Sequence, residues 1–188
     1  MPDSRRLVVT ENITVNGVIE FVDDWFDPSD QDDADDLFAV MHDQMAREEA
    51  LLLGRKTFED FRGYWPLQTD DASGSTAHLN RVPKYVVSST MTDPAWSNST
   101  VLSGPLEDEV AALKAQGDGG EVGVTGSISV VHALMRANLV DEYRLFVYPV
   151  LSGRGRNLMP SGSTAEGLRL TDCTSFRSGV VLQVYTTP

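Results

Sequence analysis

Twice in this chain a short run of β-forming residues ends at a glycine and passes straight into a helical pattern. The first is Leu51-Leu-Leu-Gly-Arg-Lys-Thr-Phe-Glu-Asp-Phe61. The second is Glu121-Val-Gly-Val-Thr-Gly-Ser-Ile128, ahead of the apolar stripe Val130, Val131, Leu134 and Met135. Strands joined through helices belong to a largely parallel sheet with helices packed on it. In the first junction Gly54 lets the backbone turn sharply, and Thr57 with Asp60 three positions on makes an approximate capping box at the helix start. A helix N-terminus flanked by Arg55 and Lys56 suits a phosphate, because its N–H groups are unpaired and its dipole end is positive. The same residues also suit an ordinary turn with solvated cations. In the second junction Gly126, Ser127 and Ile128 form a small-residue turn whose backbone a ligand could approach closely.

The rest of the chain fits this frame. Arg6–Thr14 has the β-branched content of a strand, and Asn16-Gly17 marks a turn. From Asp32 to Glu49 the residues Ala34, Leu37, Phe38, Met41 and Met45 share one helical face, with His42 beside it in a structural role. Leu67–Asn80 is polar and expected to be loop. Lys84–Ser88 and Thr100–Leu102 are expected strands, and Gly104-Pro105 opens a helix with Leu106, Val110 and Leu113 buried. Tyr143–Leu151 is a long strand followed by the glycine-arginine turn Ser152–Arg156, which could close over an anion but suits a solvated turn better. Leu168–Phe176 and Val180–Tyr185, joined at Ser178-Gly179, form an antiparallel hairpin at one sheet edge. No linker interrupts the pattern, so one domain over 1–188 is expected.

Charge and composition exclude several functions. The net charge is −13, and nine acidic residues with no lysine or arginine lie between Glu20 and Asp36, leaving the remainder at only −4. That acidic run is expected to be solvated loop and the first turn of a helix. No basic stripe exists to neutralise a nucleic-acid backbone, so nucleic acid is not an expected partner. No apolar run approaches a membrane span, and the stretch after Arg6 is too short for a secretory signal. The lone cysteine, Cys173, is expected to be a small buried strand residue and fits a reducing cytoplasm. The sequons Asn12-Ile-Thr14 and Asn98-Ser-Thr100 are then chance matches.

The common catalytic signatures are missing. The chain has no Gly-x-Gly-x-x-Gly fingerprint, P-loop or Gly-x-Ser-x-Gly elbow. Its histidines, His42, His78 and His132, lack metal-ligand spacing, and no metal is expected.

Taken in order, Thr14-Val-Asn-Gly-Val-Ile19, Leu53-Gly-Arg-Lys-Thr-Phe-Glu59, Tyr64-Trp-Pro66, Val86-Val-Ser-Ser89, Val124-Thr-Gly-Ser127, Leu139-Val-Asp-Glu-Tyr-Arg-Leu145 and Pro149-Val-Leu-Ser-Gly-Arg-Gly155 resemble the dihydrofolate-reductase-like family. The nearer likeness is to the branch holding the reductase domain of bacterial riboflavin biosynthesis and its stand-alone relatives. The resemblance implies a three-layer α/β fold, mostly parallel with antiparallel C-terminal edge strands. It also implies NADPH as cofactor, a homodimer and a small heterocyclic substrate.

Residue by residue, the resemblance assigns Arg55, Lys56 and Thr57 to the cofactor phosphates. It assigns Ser88 and Ser89 to the adenosine portion, and Gly126, Ser127 and Ile128 to the pyrophosphate. Asn16, Gly17 and Ile19 belong to the loop near the nicotinamide. The substrate pocket is expected between the Asn16–Phe26 loop, the first helix and Thr125, with Glu20, Asp24 and Trp25 as candidate contacts. Dihydrofolate reductases carry a carboxylate on that helix, whereas the matching position here is Phe38. The leading expectation is an NADPH-dependent reductase; the alternative is a non-catalytic nucleotide-binding dimer. The catalytic residues are not assigned.

Overall fold

The structure, a computed structural model, describes residues 4–22, 25–26, 33–69, 71–117 and 119–188. The β-branched run Arg6–Thr14, buried on both faces, forms β1, and a polar-faced helix α1 (Asp35–Arg47) leads directly into β2 (Glu48–Gly54). Then come α2 (Arg55–Tyr64), a 3₁₀ turn (Trp65–Leu67), α3 (Ser75–Arg81), β3 (Lys84–Val87) and β4 (Ser99–Leu102). After α4 (Leu106–Ala115), β5 (Glu121–Val124) and α5 (Ile128–Arg136), the chain ends in β6 (Glu142–Tyr148), β7 (Arg169–Ser175) and β8 (Val181–Thr186). The described strands form one sheet in the order β4-β3-β2-β5-β1-β6-β8-β7. From β4 through β6 neighbours run parallel, while β8 and β7 are antiparallel at the edge, as the sequence predicts. No described helix is long and apolar enough to cross a membrane.

Helices cover both faces, because successive strand side chains point to opposite sides. On one face Leu7, Val9, Ala50, Leu52 and Val124 meet Val110 and Leu113 of α4 and Val130, Val131 and Leu134 of α5. On the other, Leu51, Leu53 and Val86 meet Phe58 of α2 and Leu79 of α3. Leu37 of α1 joins Phe146, Phe176, Val180 and Leu182 beside them, with Phe38 partly buried against the group.

Several expectations are corrected. Residues 75–81 are helical rather than loop: Asp71 accepts the Thr76 N–H at 2.6 Å and the Ser73 N–H at 3.0 Å, and His78 and Leu79 are buried. Polar sequence hid this helix because its first turn is held by a preceding side chain. The first helix stops at Arg47, and Glu48 and Glu49 belong to β2. The strand at 143–151 ends at Tyr148. Cys173 is exposed, because β7 is the outermost strand and nearly all its residues face solvent. The second helix begins at Arg55 with Gly54 before it, and no side chain caps it, so the Thr57–Asp60 box does not form. The loop residues 23–24 and 27–32, including the candidate Asp24, lie outside the described residues.

Candidate functional site

Strands β2 and β5 are parallel neighbours, with Leu52 opposite Val124, so the helices that follow them start side by side at one end of the sheet. Carboxyl ends of parallel strands are where open α/β sheets bind ligands. The two junctions are stitched together. The Gly54 N–H donates to the Gly126 carbonyl at 3.3 Å, and the Thr57 N–H and hydroxyl reach the Ser127 hydroxyl at 3.2 and 3.1 Å. Both glycines are required by this contact. A Cβ on Gly54 would lie 2.4 Å from Ser127 Oγ, and one on Gly126, which has φ +93°, would lie 2.8 Å from Thr57 Oγ1. The Gly126–Ser127 peptide bond is cis. Thr57 and Gly126 thus build the junction, while the first turns of α2 and α5 present N–H groups that no helical carbonyl can satisfy.

In front of the junction lies a cleft of about 590 Å³, lined by Gly54, Arg55, Lys56, Ser88, Ser89, Ser127, Ile128 and Arg156, among others. The structure therefore gathers six of the sequence-derived cofactor residues, Arg55, Lys56, Ser88, Ser89, Ser127 and Ile128, around one space. Their roles differ in detail. The Ser88 hydroxyl accepts the N–H groups of Thr90 and Met91 at 3.2 and 3.0 Å and shapes its turn, whereas Ser89 is exposed. Arg55 pairs with Glu59 at 2.9 Å. Among the described residues Lys56 has no ion-pair partner. A second cavity, of about 420 Å³ beside Arg5, Glu48 and Pro83, lies where β2 and β3 begin, away from these helix N-termini. On that ground it is the weaker candidate.

The Asn16–Ile19 loop is not in the cleft wall but is bound to a segment that is. Asn16 Nδ2 donates to the Ser152 carbonyl at 2.6 Å, and the Ser152 N–H donates to Asn16 Oδ1 at 3.1 Å. Gly17, at φ +89°, makes the turn, and Val18 and Ile19 are buried. The Leu158 N–H reaches the Gly17 carbonyl and the Ile19 N–H the Arg156 carbonyl, both at 3.0 Å. The side chain of Asn16 is consumed by this strapping. Glu20 does not face an open pocket: it grips Arg156 at 2.6 Å. The hydrogen bond from Arg156, helped by the charge of Lys56, holds the Glu20 carboxyl below its ordinary value. Trp25 donates to the Glu20 carbonyl at 3.3 Å and packs edge-on against Tyr148, 5.7 Å between centroids. Phe38 sits in the apolar cluster on the α1 side, and Thr125 is half-buried after β5.

Arg156, in the glycine-arginine turn that suits either an anion loop or a solvated turn, lines the cleft. One residue of this region escaped the sequence reading. Glu11 lies in β1 on the face of Leu7 and Val9, where alternation demands an apolar side chain. It is only 7% exposed, its Oε1 has no partner, and a backbone hydrogen bond from Gly126 ties it to the second junction. Burial pushes its carboxyl up to about 8, against the pull of that hydrogen bond. A carboxylate two positions after Val9, on the same face of the strand as Leu7 and Val9, is the signal that would have found it.

Comparison with known proteins agrees with this architecture. A family model described as the RibD C-terminal domain matches residues 8–182. YyaP of Bacillus subtilis (strain 168), an uncharacterised protein, is 28% identical over 96% of this chain and 94% of its own length. A putative riboflavin biosynthesis protein from Shewanella sp. PV-4 has a similar structure, with a TM-score of 0.72 at 20% identity, covering 97% of this chain and 99% of the other. A pyrimidine reductase-like protein from Corynebacterium diphtheriae gives 0.67 at 15%, over 99% and 93%. Acinetobacter baumannii RibD gives 0.68 at 13%, and there 99% of this chain spans 59% of that protein.

Proposed function

We propose that this chain, which belongs to the RibD C-terminal domain family, is a reductase that binds a nicotinamide dinucleotide, NADPH by preference, and reduces a small heterocyclic substrate. The observation that carries the reading is the stitched pair of helix N-termini at the ends of β2 and β5, with Lys56 beside them and without an ion-pair partner among the described residues. Phosphates bind well at such a place because N–H groups, helix dipoles and a cation act together. The residues present fit the cofactor: two glycines keep the junction close, and Ser89 and Ser88 border the far end of the cleft. When bound, the dinucleotide supplies the hydride. The chain's part is to hold and orient it: Arg55, Lys56, Ser127 and Ile128 engage the phosphates, and the strapped Asn16–Ile19 loop walls the nicotinamide end. Substrate would lie between that loop, α1 and Thr125, with the proton supplied by water or by an acidic loop residue.

A second reading, a nucleotide-binding dimer without turnover, is favoured by Phe38, which places an apolar ring where the dihydrofolate reductases carry a carboxylate. Homodimerisation and a cytoplasmic location belong to both readings. The outer strand β7, with Leu168 and Leu170 exposed near a free sheet edge, is the surface a dimer would cover.

Thermal unfolding with and without millimolar NADPH or NADH tests the cofactor reading. A ligand at a hundredfold its Kd adds roughly 2.7 kcal/mol to the folded state, an easily seen rise in Tm. No rise with either nucleotide removes the reading. Steady NADPH oxidation against pyrimidine, pterin, quinone and aldehyde panels then separates the enzyme from the silent binder.

A further inference from the structure

Segment 152–158 does more than close a loop. It runs antiparallel to residues 16–20, bridged at Val18 and Asn157. His132 of α5 contacts the Asn157 carbonyl at 3.0 Å. Gly155 presses so closely on Val18 that a Cβ there would lie 2.8 Å from Val18 Cγ1. This fixes the backbone of Arg156 while leaving its side chain about half exposed in the cleft wall with Arg55, Lys56, Ser127 and Ile128. The guanidinium is held there by Glu20 at 2.6 Å, and Glu20 Oε2 also accepts the Arg156 N–H at 3.0 Å. One carboxylate therefore sits among cations at the mouth of an anion cleft, bonded to the one that an arriving phosphate would seek.

We propose that Arg156 is a phosphate-binding residue of this cleft and that Glu20 is its resident competitor, displaced from the guanidinium when a diphosphate enters. The inference rests on the dinucleotide reading for the ligand's identity, but its chemistry needs only a diphosphate. Arginine suits the exchange, since its planar fork binds carboxylate and phosphate with similar geometry. The displaced carboxylate belongs to the loop that walls the expected substrate pocket, so cofactor entry would release Glu20 toward that side and couple the two sites. Its backbone stays anchored, because the Ile19-to-Arg156 main-chain bond does not involve either side chain.

The test is equilibrium titration of the full chain with NADPH and, separately, with ADP, for the parent, Arg156→Ala and Glu20→Gln. Unliganded Tm is recorded as the folding control. The expected result is opposite signs: Arg156→Ala binds both ligands roughly tenfold or more weakly, and Glu20→Gln binds them several-fold more tightly. Equal affinity for Arg156→Ala and the parent overturns the proposal while leaving the cofactor reading intact. Weakening by Glu20→Gln overturns it too, because the pair would then only brace the loop. If NADPH fails to bind but ADP binds with these opposite signs, the latch stands and the cofactor reading falls. Binding of neither ligand to the parent overturns both.

Discussion

Burial holds the Glu11 carboxyl toward its neutral form. Its carboxyl is buried on the α5 side of β1, one oxygen unpartnered, and titrates near 8 because ionising it there would strand a charge. The unfolded chain ionises the same group at its ordinary value of 4.5. Between those limits the unfolded state binds fewer protons than the folded one, so this group's contribution to stability is full below about 4.5 and is lost as pH rises through 8. Glu11→Gln cannot ionise and escapes that loss. Urea unfolding at pH 5 and pH 8 should show the variant gaining on the parent by several kcal/mol, on the order of 4. An unchanged gap between the two pH values would mean that Glu11 is not held neutral. Position 11 was visible in the sequence as an acidic residue in a strand; that it faces the covered side, under Gly126, depended on register with β5 and β6.

At the scale of elements, the junctions after β2 and β5 work as one unit. Their glycine-ended strands and small-residue turns were legible because glycine, strand and helix patterns are local. The contact between them was not. Thr57 looked like a cap for its own helix, yet it bonds Ser127, which lies seventy residues away. This gives paired expectations for two glycines of α2, Gly54 at its N-cap and Gly63 within it. Gly54→Ala puts a methyl group 2.4 Å from Ser127 Oγ and should cost about 1–3 kcal/mol while weakening dinucleotide binding. Gly63→Ala, inside α2 with open space around the new methyl, should stabilise by about 0.5–1 kcal/mol and leave binding alone. Denaturant midpoints of the two variants check both signs, and a stabilised Gly54→Ala would mean that the junction is loose. Helix α3 shows the opposite case: a polar stretch became a helix because Asp71 caps it and its buried side chains meet the core, neither of which periodicity announces.

Across the whole molecule, the order β5-β1-β6 is locked by charge at the strand starts. Arg144 reaches Glu121 at 2.8 Å and Glu142 at 2.7 Å, all three almost fully buried, and Arg6 joins both carboxylates at 2.7 Å. Although burial pushes the Glu121 carboxyl up, Arg144, Arg47 and Arg6 hold it below its ordinary value. Removing the central cation strands two carboxylates, so Arg144→Met should lose about 3–5 kcal/mol in equilibrium unfolding at neutral pH. A loss below 1 kcal/mol would mean that Arg6 and Arg47 suffice.

Fold class, a largely parallel α/β sheet with an antiparallel edge, follows from local pattern along the chain, and so do the two turns that face the cleft. Strand–helix alternation and glycine placement are properties of neighbours along the chain, which is why they could be read without coordinates. Which polar residues meet across it follows from packing instead: Glu11 under Gly126, Thr57 on Ser127, Glu20 on Arg156, Arg144 between two glutamates. Each of those pairings depends on register and on helices packed over the sheet, and burial then sets the charge state and the partner that each side chain takes.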